Sequence, residues 1–206
     1  MLDILALGLR PYEEVWALQK ELLAQRLAGQ IPNTLILTEH PPVLTTGRAF
    51  RPESLPHTPP VPVYAIERGG DLSFHEPGQL VAYPVIYLKE ELRDLKRFLT
   101  TLEGVIVAAL ADFSVDARVI PGSTGVWVDD LKIASIGIAV RRWVTYHGFA
   151  VNVHNPLAVI AGTRPCGFDP EVMTTLARLR DPAPSLAEFQ ARIAAHAHTL
   201  LGPYGH

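Results

Sequence analysis

The stretch from Gly125 to Arg141 limits the fold more than any other. It reads Gly-Val-Trp-Val-Asp-Asp-Leu-Lys-Ile-Ala-Ser-Ile-Gly-Ile-Ala-Val-Arg. Two apolar, β-branched segments flank an Asp129-Asp130 pair, which predicts a hairpin of strands over 125–129 and 131–141. A lone lysine, Lys132, sits inside the second strand between Leu131 and Ile133. The chain has only four lysines, and the other three lie in charged, helix-like surroundings. A lysine in an apolar strand is either at a sheet edge with its amine in water or buried with a purpose. A desolvated ammonium has a lowered pKa, and a neighbouring thiolate would stabilise its charge.

The chain holds a single cysteine, Cys166, on the turn-like Thr163-Arg164-Pro165-Cys166-Gly167. Free cysteines are usually small buried hydrophobes. Here Pro165 and Gly167 put the residue on a turn rather than inside an apolar run. A thiol beside an amine becomes a nucleophile at neutral pH, so Lys132 and Cys166 are paired as a candidate catalytic dyad. One cysteine excludes an internal disulfide and a cysteine zinc cluster.

The remaining elements alternate irregularly. Strands are expected at 2–8, 33–38, 61–67, 80–88, 115–120 and 145–153, and helices at 11–29, 90–110 and from 185 onward. Pro84 marks 80–88 as an edge strand or a bulged one. Ser185-Leu186-Ala187-Glu188 is a capping-box start for the last helix. This order is not a βαβ repeat. It predicts an α/β (α+β) fold, a mixed β-sheet with helices packed on it, in one domain over residues 1–206.

The loop 68–79 is the richest in chemistry. Arg68-Gly69-Gly70-Asp71-Leu72-Ser73-Phe74-His75 leads into Glu76-Pro77-Gly78-Gln79. Paired glycines let backbone N–H groups approach a ligand. Arg68, Ser73 and His75 add donors, so a binding loop is favoured over a bare turn. In 145–153, Asn152 on a buried strand needs hydrogen-bond partners and is a candidate to shape a site. His147 alone reads as a structural histidine.

Composition excludes several classes. Net charge is −3, with no basic footprint for nucleic acid. No apolar stretch approaches the ~18 residues that cross a bilayer. Residues 1–10 lack the pattern of a signal peptide. No histidine pair has metal-ligand spacing, and there is no phosphate-binding Gly-x-x-x-x-Gly-Lys. A soluble, cytoplasmic protein with no metal and no cofactor is expected.

Together these motifs resemble the lipoyl(octanoyl) transferase family. The matching pieces are Glu39-His40-Pro41-Pro42-Val43 with Gly47-Arg48, Arg68-Gly69-Gly70 with His75 and Pro77-Gly78-Gln79, and Gly125-Val126-Trp127. Lys132-Ile133-Ala134-Ser135-Ile136-Gly137, His147-Gly148-Phe149-Ala150-Val151-Asn152 and Pro165-Cys166-Gly167 complete the set. The resemblance implies the fold of biotin and lipoate protein ligases, with Cys166 as acyl-thioester residue and Lys132 as its partner. It implies acyl-binding residues at Arg68, Gly69, Gly70, Asp71, Leu72, Ser73, Phe74 and His75, at Ser135, Ile136 and Gly137, and at Gly148, Phe149 and Ala150. The implied donor is octanoyl-acyl carrier protein. The implied acceptors are apo lipoyl domains of 2-oxoacid dehydrogenase acyltransferase subunits and the glycine cleavage H protein. Because these partners are acidic, a basic patch from Arg48, Arg51, Arg141 and Arg142 is expected near the site. The rival readings are an ATP-dependent lipoate or biotin ligase and a non-catalytic acyl- or lipoyl-domain-binding module. The chain departs from the family's usual His-Gly-Pro-Gly-Gln by carrying Glu76. It also has Asn155-Pro156-Leu157 in place of a more usual Asp-Leu.

Overall fold

The computed structural model describes residues 2–55, 57–160 and 170–204. The chain begins with strand β1 (Leu2–Leu9), helix α1 (Tyr12–Leu27) and strands β2 (Asn33–Glu39), β3 (Val43–Thr46), β4 (Val63–Ala65), β5 (Leu72–His75) and β6 (Gln79–Val85). Helix α2 (Leu95–Ala111) leads into β7 (Arg118–Ile120), β8 (Ser123–Val128), β9 (Leu131–Arg141) and β10 (Val144–Asn152). The short α3 (Leu176–Leu179) and α4 (Leu186–Leu201) follow. Seven strands form one sheet in the order β1-β2-β6-β10-β9-β8-β7, and three form a second in the order β4-β3-β5. β1 and β2 run parallel while the other ladders of the large sheet are antiparallel, so the sheet is mixed as the sequence predicts.

Alternation along the central strands sends side chains to two cores. Leu35, Leu37, Leu80, Ala82, Phe149 and Val151 face a layer of α2 and α4 that includes Phe98, Ile106 and Phe189. Their neighbours Ile36, Val81, Tyr83 and Ala150 face Tyr12 and Val15 of α1 on the other side. A period of two on a sheet covered on both faces gives strands apolar at every position. The capping box of α4 forms as expected: Glu188 N–H donates to Ser185 Oγ, and Glu188 Oε2 accepts from Ser185 N–H.

Four expectations are corrected. The 68–79 segment is not all loop, because Leu72–His75 is the strand β5, paired with β3. The strand expected at 61–67 is only β4. The helix expected from 90 starts at Leu95 behind the N-cap Asp94, and Leu95 itself is 41% exposed. Strand β6 is central, not an edge. Pro84 pairs with Leu35 of β2, while the β10 ladder ends at Ala82↔Phe149. Beyond that break Thr145 Oγ1 donates to Pro84 O and accepts from Ile86 N–H, replacing the ladder bonds that proline interrupts.

Candidate functional site

The 131–141 strand lies between two hairpin partners and carries the site along its length. Its turn into β10 is Arg142-Trp143, both with positive φ, as a two-residue hairpin turn of matching twist requires. The resulting register puts Ser135 opposite Ala150, Ile136 opposite Phe149 and Gly137 opposite Gly148. Two sequence motifs more than ten residues apart thus become one patch of sheet.

The glycine-rich loop lies on that patch. Gly69 N–H donates to Ile138 O at 2.9 Å. A Cβ on Gly137 would sit 2.9 Å from Gly69 O and 3.1 Å from Arg68 Cδ, so only glycine admits the loop this closely. Arg68 is buried, and its guanidinium braces the loop from within. Nη2 donates to Thr45 O at 2.8 Å and to Asp71 O at 3.0 Å, and Nη1 donates to Gly69 O at 3.0 Å. The carboxylate of Asp71 accepts from Arg51 N–H and Ser54 Oγ, tying the 3-10 turn Pro52–Ser54 to the loop. These two charged residues therefore shape the backbone rather than leave their polar groups wholly for a ligand.

Residues 68–75, 135–137 and 148–150, together with Lys132, all line one cavity of about 570 Å³. The size lies within the usual range for a small-ligand site. Lys132 is only 8% exposed although it is near the outer strands of the sheet. Its backbone is held on both sides: it pairs with Trp127 of β8, forms a parallel bridge to Met173, and its O accepts from Thr174 N–H at 3.0 Å. Its stem runs over Gly125, where a Cβ would come within 2.7 Å of Lys132 Cε. Its Nζ stands 5.4 Å from the Trp127 ring centroid. Of the two sequence alternatives for Lys132, a watery sheet edge or burial, the structure has burial.

Cys166 lies outside the described residues, as do its neighbours Pro165 and Gly167. Ile160, the last described residue before this segment, and Met173, a short way beyond it, both line the cavity.

A second layer of polar groups supports the wall. His75 Nδ1 bonds Gln79 Oε1 at 2.7 Å, Gln79 Nε2 donates to Asn152 Oδ1 at 2.9 Å, and Asn152 Nδ2 donates to Thr174 O at 3.0 Å. This chain of bonds runs from the glycine-rich loop to the backbone neighbour of Lys132, and it supplies the partners that a buried Asn152 demands. His75 stacks on Tyr12 with ring centroids 6.0 Å apart. Burial, with help from nearby His40, holds the His75 pKa down at about 3. Burial likewise lowers His40 to about 4. His147 is also pushed down to about 4 by burial, against an opposing bond to Glu67 at 3.3 Å. All three are neutral near pH 7, so the cavity wall carries imidazole rather than imidazolium. Sequence reading missed Tyr12, Ile66, Val81, Tyr83, Leu99 and Met173 as lining residues. All but Met173, which falls between expected elements, came from helix and strand patterns that announce a core, and nothing local separates a core wall from a cavity wall.

Arg48, Arg51, Arg141 and Arg142 are all exposed. Arg48 and Arg141 both lie near enough to the Tyr146 hydroxyl to act on it electrostatically. Among the described residues no group of three or more metal-ligating side chains is found, and no helix is long and apolar enough to cross a membrane.

The fold is that of the lipoate and biotin protein ligases. A lipoate-protein ligase A bound with ATP superposes with a TM-score of 0.78 at 18% identity, covering 97% of this chain and 85% of that one. The biotin protein ligase of Aquifex aeolicus in complex with biotin and ATP gives 0.62 at 12% identity, over 98% and 71%. The family model for the lipoyl protein ligase A/B catalytic domain matches residues 11–198, and the chain belongs to that family. Within it, the chain is 44% identical over 200 residues to the octanoyltransferase of Syntrophotalea carbinolica, covering 97% of this chain and 94% of the relative.

Proposed function

We propose that this chain transfers an octanoyl group from octanoyl-acyl carrier protein to a lysine of apo lipoyl domains, through a thioester on Cys166 with Lys132 as its partner. Octanoyltransferase activity follows from the identity to relatives of that name across nearly the whole chain. The dyad, the carrier-protein donor and a cytoplasmic location are the finer parts of the proposal. The observation that carries it is a buried lysine on the wall of a cavity whose other walls are the glycine-rich loop and the 135–137/148–150 patch. That Ile160 and Met173 line the same cavity supports a cysteine between them acting there.

In the first step the Cys166 thiol gives its proton to Lys132, and the thiolate attacks the octanoyl thioester carbonyl. The carrier's thiolate leaves and takes that proton back from Lys132, so one thioester replaces another and Lys132 is again a neutral amine. In the second step the neutral ε-amine of the acceptor lysine attacks the Cys166 thioester. An amide forms, Cys166 leaves as thiolate, and the amine's proton passes to the dyad. Thioester exchange is nearly balanced and thioester to amide runs downhill, so no ATP is consumed. Backbone N–H groups of the glycine-rich loop are donors for the oxyanion. Burying about seven carbons at ~0.8 kcal/mol each supplies roughly 5 kcal/mol for holding the acyl chain.

Intact mass measurement tests this. Incubation with octanoyl-acyl carrier protein should add one octanoyl group to the wild type and none to Cys166→Ala. The adduct should then pass to an apo lipoyl domain without ATP. An octanoyl adduct on Cys166→Ala, or an ATP requirement for transfer, would refute the mechanism.

A further inference from the structure

Glu76 stands where the family pattern usually has glycine, yet it is among the most buried charged residues of the chain, at 2% exposure. It follows β5 directly and precedes Pro77, in the extended backbone that a residue before proline adopts. Its carboxylate faces the segment 155–159 across a tight contact. Oε1 accepts from Leu157 N–H at 2.6 Å and from Asn155 Nδ2 at 3.1 Å, and Oε2 accepts from Val159 N–H at 3.1 Å. Asn155 Nδ2 also donates to Asn152 Oδ1, which joins this anchor to the Gln79–Asn152 chain.

What the carboxylate holds is not relaxed backbone. Leu157 has φ 62°, a left-handed conformation that a bulky residue adopts only when its surroundings impose it. A charge-assisted bond to its N–H is such a constraint. With the backbone held there, Leu157, Val159 and Ile160 pack together with Leu44, Leu72, Phe74 and Met173 into a small apolar cluster. Four members of that cluster, Leu72, Phe74, Ile160 and Met173, line the cavity. The path from Glu76 to the cavity is therefore carboxylate, backbone of 157–159, apolar wall.

We propose that Glu76 is a positioning residue that fixes the 157–160 wall and thereby sets the acyl chain length the cavity accepts. The proposal rests on the cavity being the acyl chamber of an octanoyl transferase. Glu76 touches no substrate atom and acts through the wall. Glu76→Gln keeps the volume and one acceptor for Leu157, but turns an NH₂ toward the Val159 N–H. Glu76→Gly removes both acceptors.

The test compares transfer from octanoyl and decanoyl carrier protein by wild type and both variants, as kcat/KM for each donor. Loosening one wall should let two further methylenes in, so the octanoyl-over-decanoyl preference falls by about tenfold or more, the discrimination scale of a methylene or two in an apolar pocket. A residue that merely holds the fold together would lower both rates in proportion and leave the ratio alone. An unchanged ratio in both variants, with an active wild type, overturns the proposal. If Glu76→Gly fails to fold, the isosteric Glu76→Gln carries the comparison. If the wild type transfers neither group, octanoyl transfer itself is refuted. Calorimetry with octanoic and decanoic acid on the same proteins then decides the role of Glu76 by the same ratio, measured as affinities.

Discussion

Replacing Lys132 with methionine isolates the amine from the rest of the side chain. The stem of Lys132 fills the space over Gly125 and leads to a buried amine near Trp127. Methionine occupies the same stem volume, so the apolar packing stays and only the amine goes. The fold should therefore survive, with a stability change of no more than about 1 kcal/mol, or ~2–4 °C in melting temperature for a chain of this size. Activity should not survive. Loss of a positioned acid–base group lowers rates at least ~100-fold, about 2.7 kcal/mol of barrier. A free thiol has a pKa of ~8.5, so the pH profile of Cys166 alkylation should move upward toward that value once the amine is removed. Lys132→Arg should fail as well, because guanidinium does not give up its proton. Gly125→Ala would not isolate the amine in this way: its Cβ, at φ 130°, would meet Ala134 O at 2.5 Å as well as Lys132 Cε at 2.7 Å, so it would strain the β8–β9 ladder besides displacing the side chain. The assays are octanoyl transfer, iodoacetamide alkylation against pH, and thermal melting. If Lys132→Met keeps near-native transfer and an unchanged alkylation profile, Lys132 is not the partner of Cys166.

Two further outcomes are expected. His40, His75 and His147 are buried neutral, with pKa values of about 4, 3 and 4 against an ordinary 6.5. The unfolded chain binds protons that the folded one refuses, so stability is full above ~6.5 and falls as pH drops from there toward ~4, by up to ~1.4 kcal/mol per unit for each histidine. Melting temperature should drop between pH 7 and pH 5, and the drop should be smaller in His40→Gln; a flat profile contradicts the burial assignment. Arg48→Glu and Arg141→Glu should raise KM for the acidic carrier protein with kcat little changed, and raising salt from 0.1 to 1 M should do the same to the wild type as the Debye length shrinks from ~10 Å to ~3 Å. A KM that ignores both charge reversal and salt removes the patch from docking.

Local signals in the chain proved reliable where short-range geometry alone decides. The Asp129-Asp130 hairpin, the Ser185–Glu188 capping box and the apolar periods of α2 and the central strands depend on neighbours within a few residues. Pro84 was half legible: a missing N–H must interrupt a ladder, but whether that happens at an edge or at a central strand depends on which strands flank it. The strand β5 was masked by the polar company it keeps, because its pairing with β3 comes from elsewhere in the chain.

The sequence by itself determined the mixed sheet with its helices, the family, and a short roster of candidate residues in separate motifs. Only the tertiary structure decided that residues 68–75, 135–137 and 148–150 and Lys132 face one cavity, since the register of β9 on β10 and the seat of the glycine-rich loop on Gly137 are long-range contacts. It also decided the electrostatics. Burial makes His75 and His147 neutral and withdraws Lys132 from water, and burial is a property of everything packed around a residue rather than of the residue. Glu76 shows the same limit most sharply. On paper it is a polar substitution in a loop, and in the fold its two oxygens reach backbone N–H groups some eighty residues away, because chain distance places no bound on which groups a folded backbone brings within hydrogen-bond range.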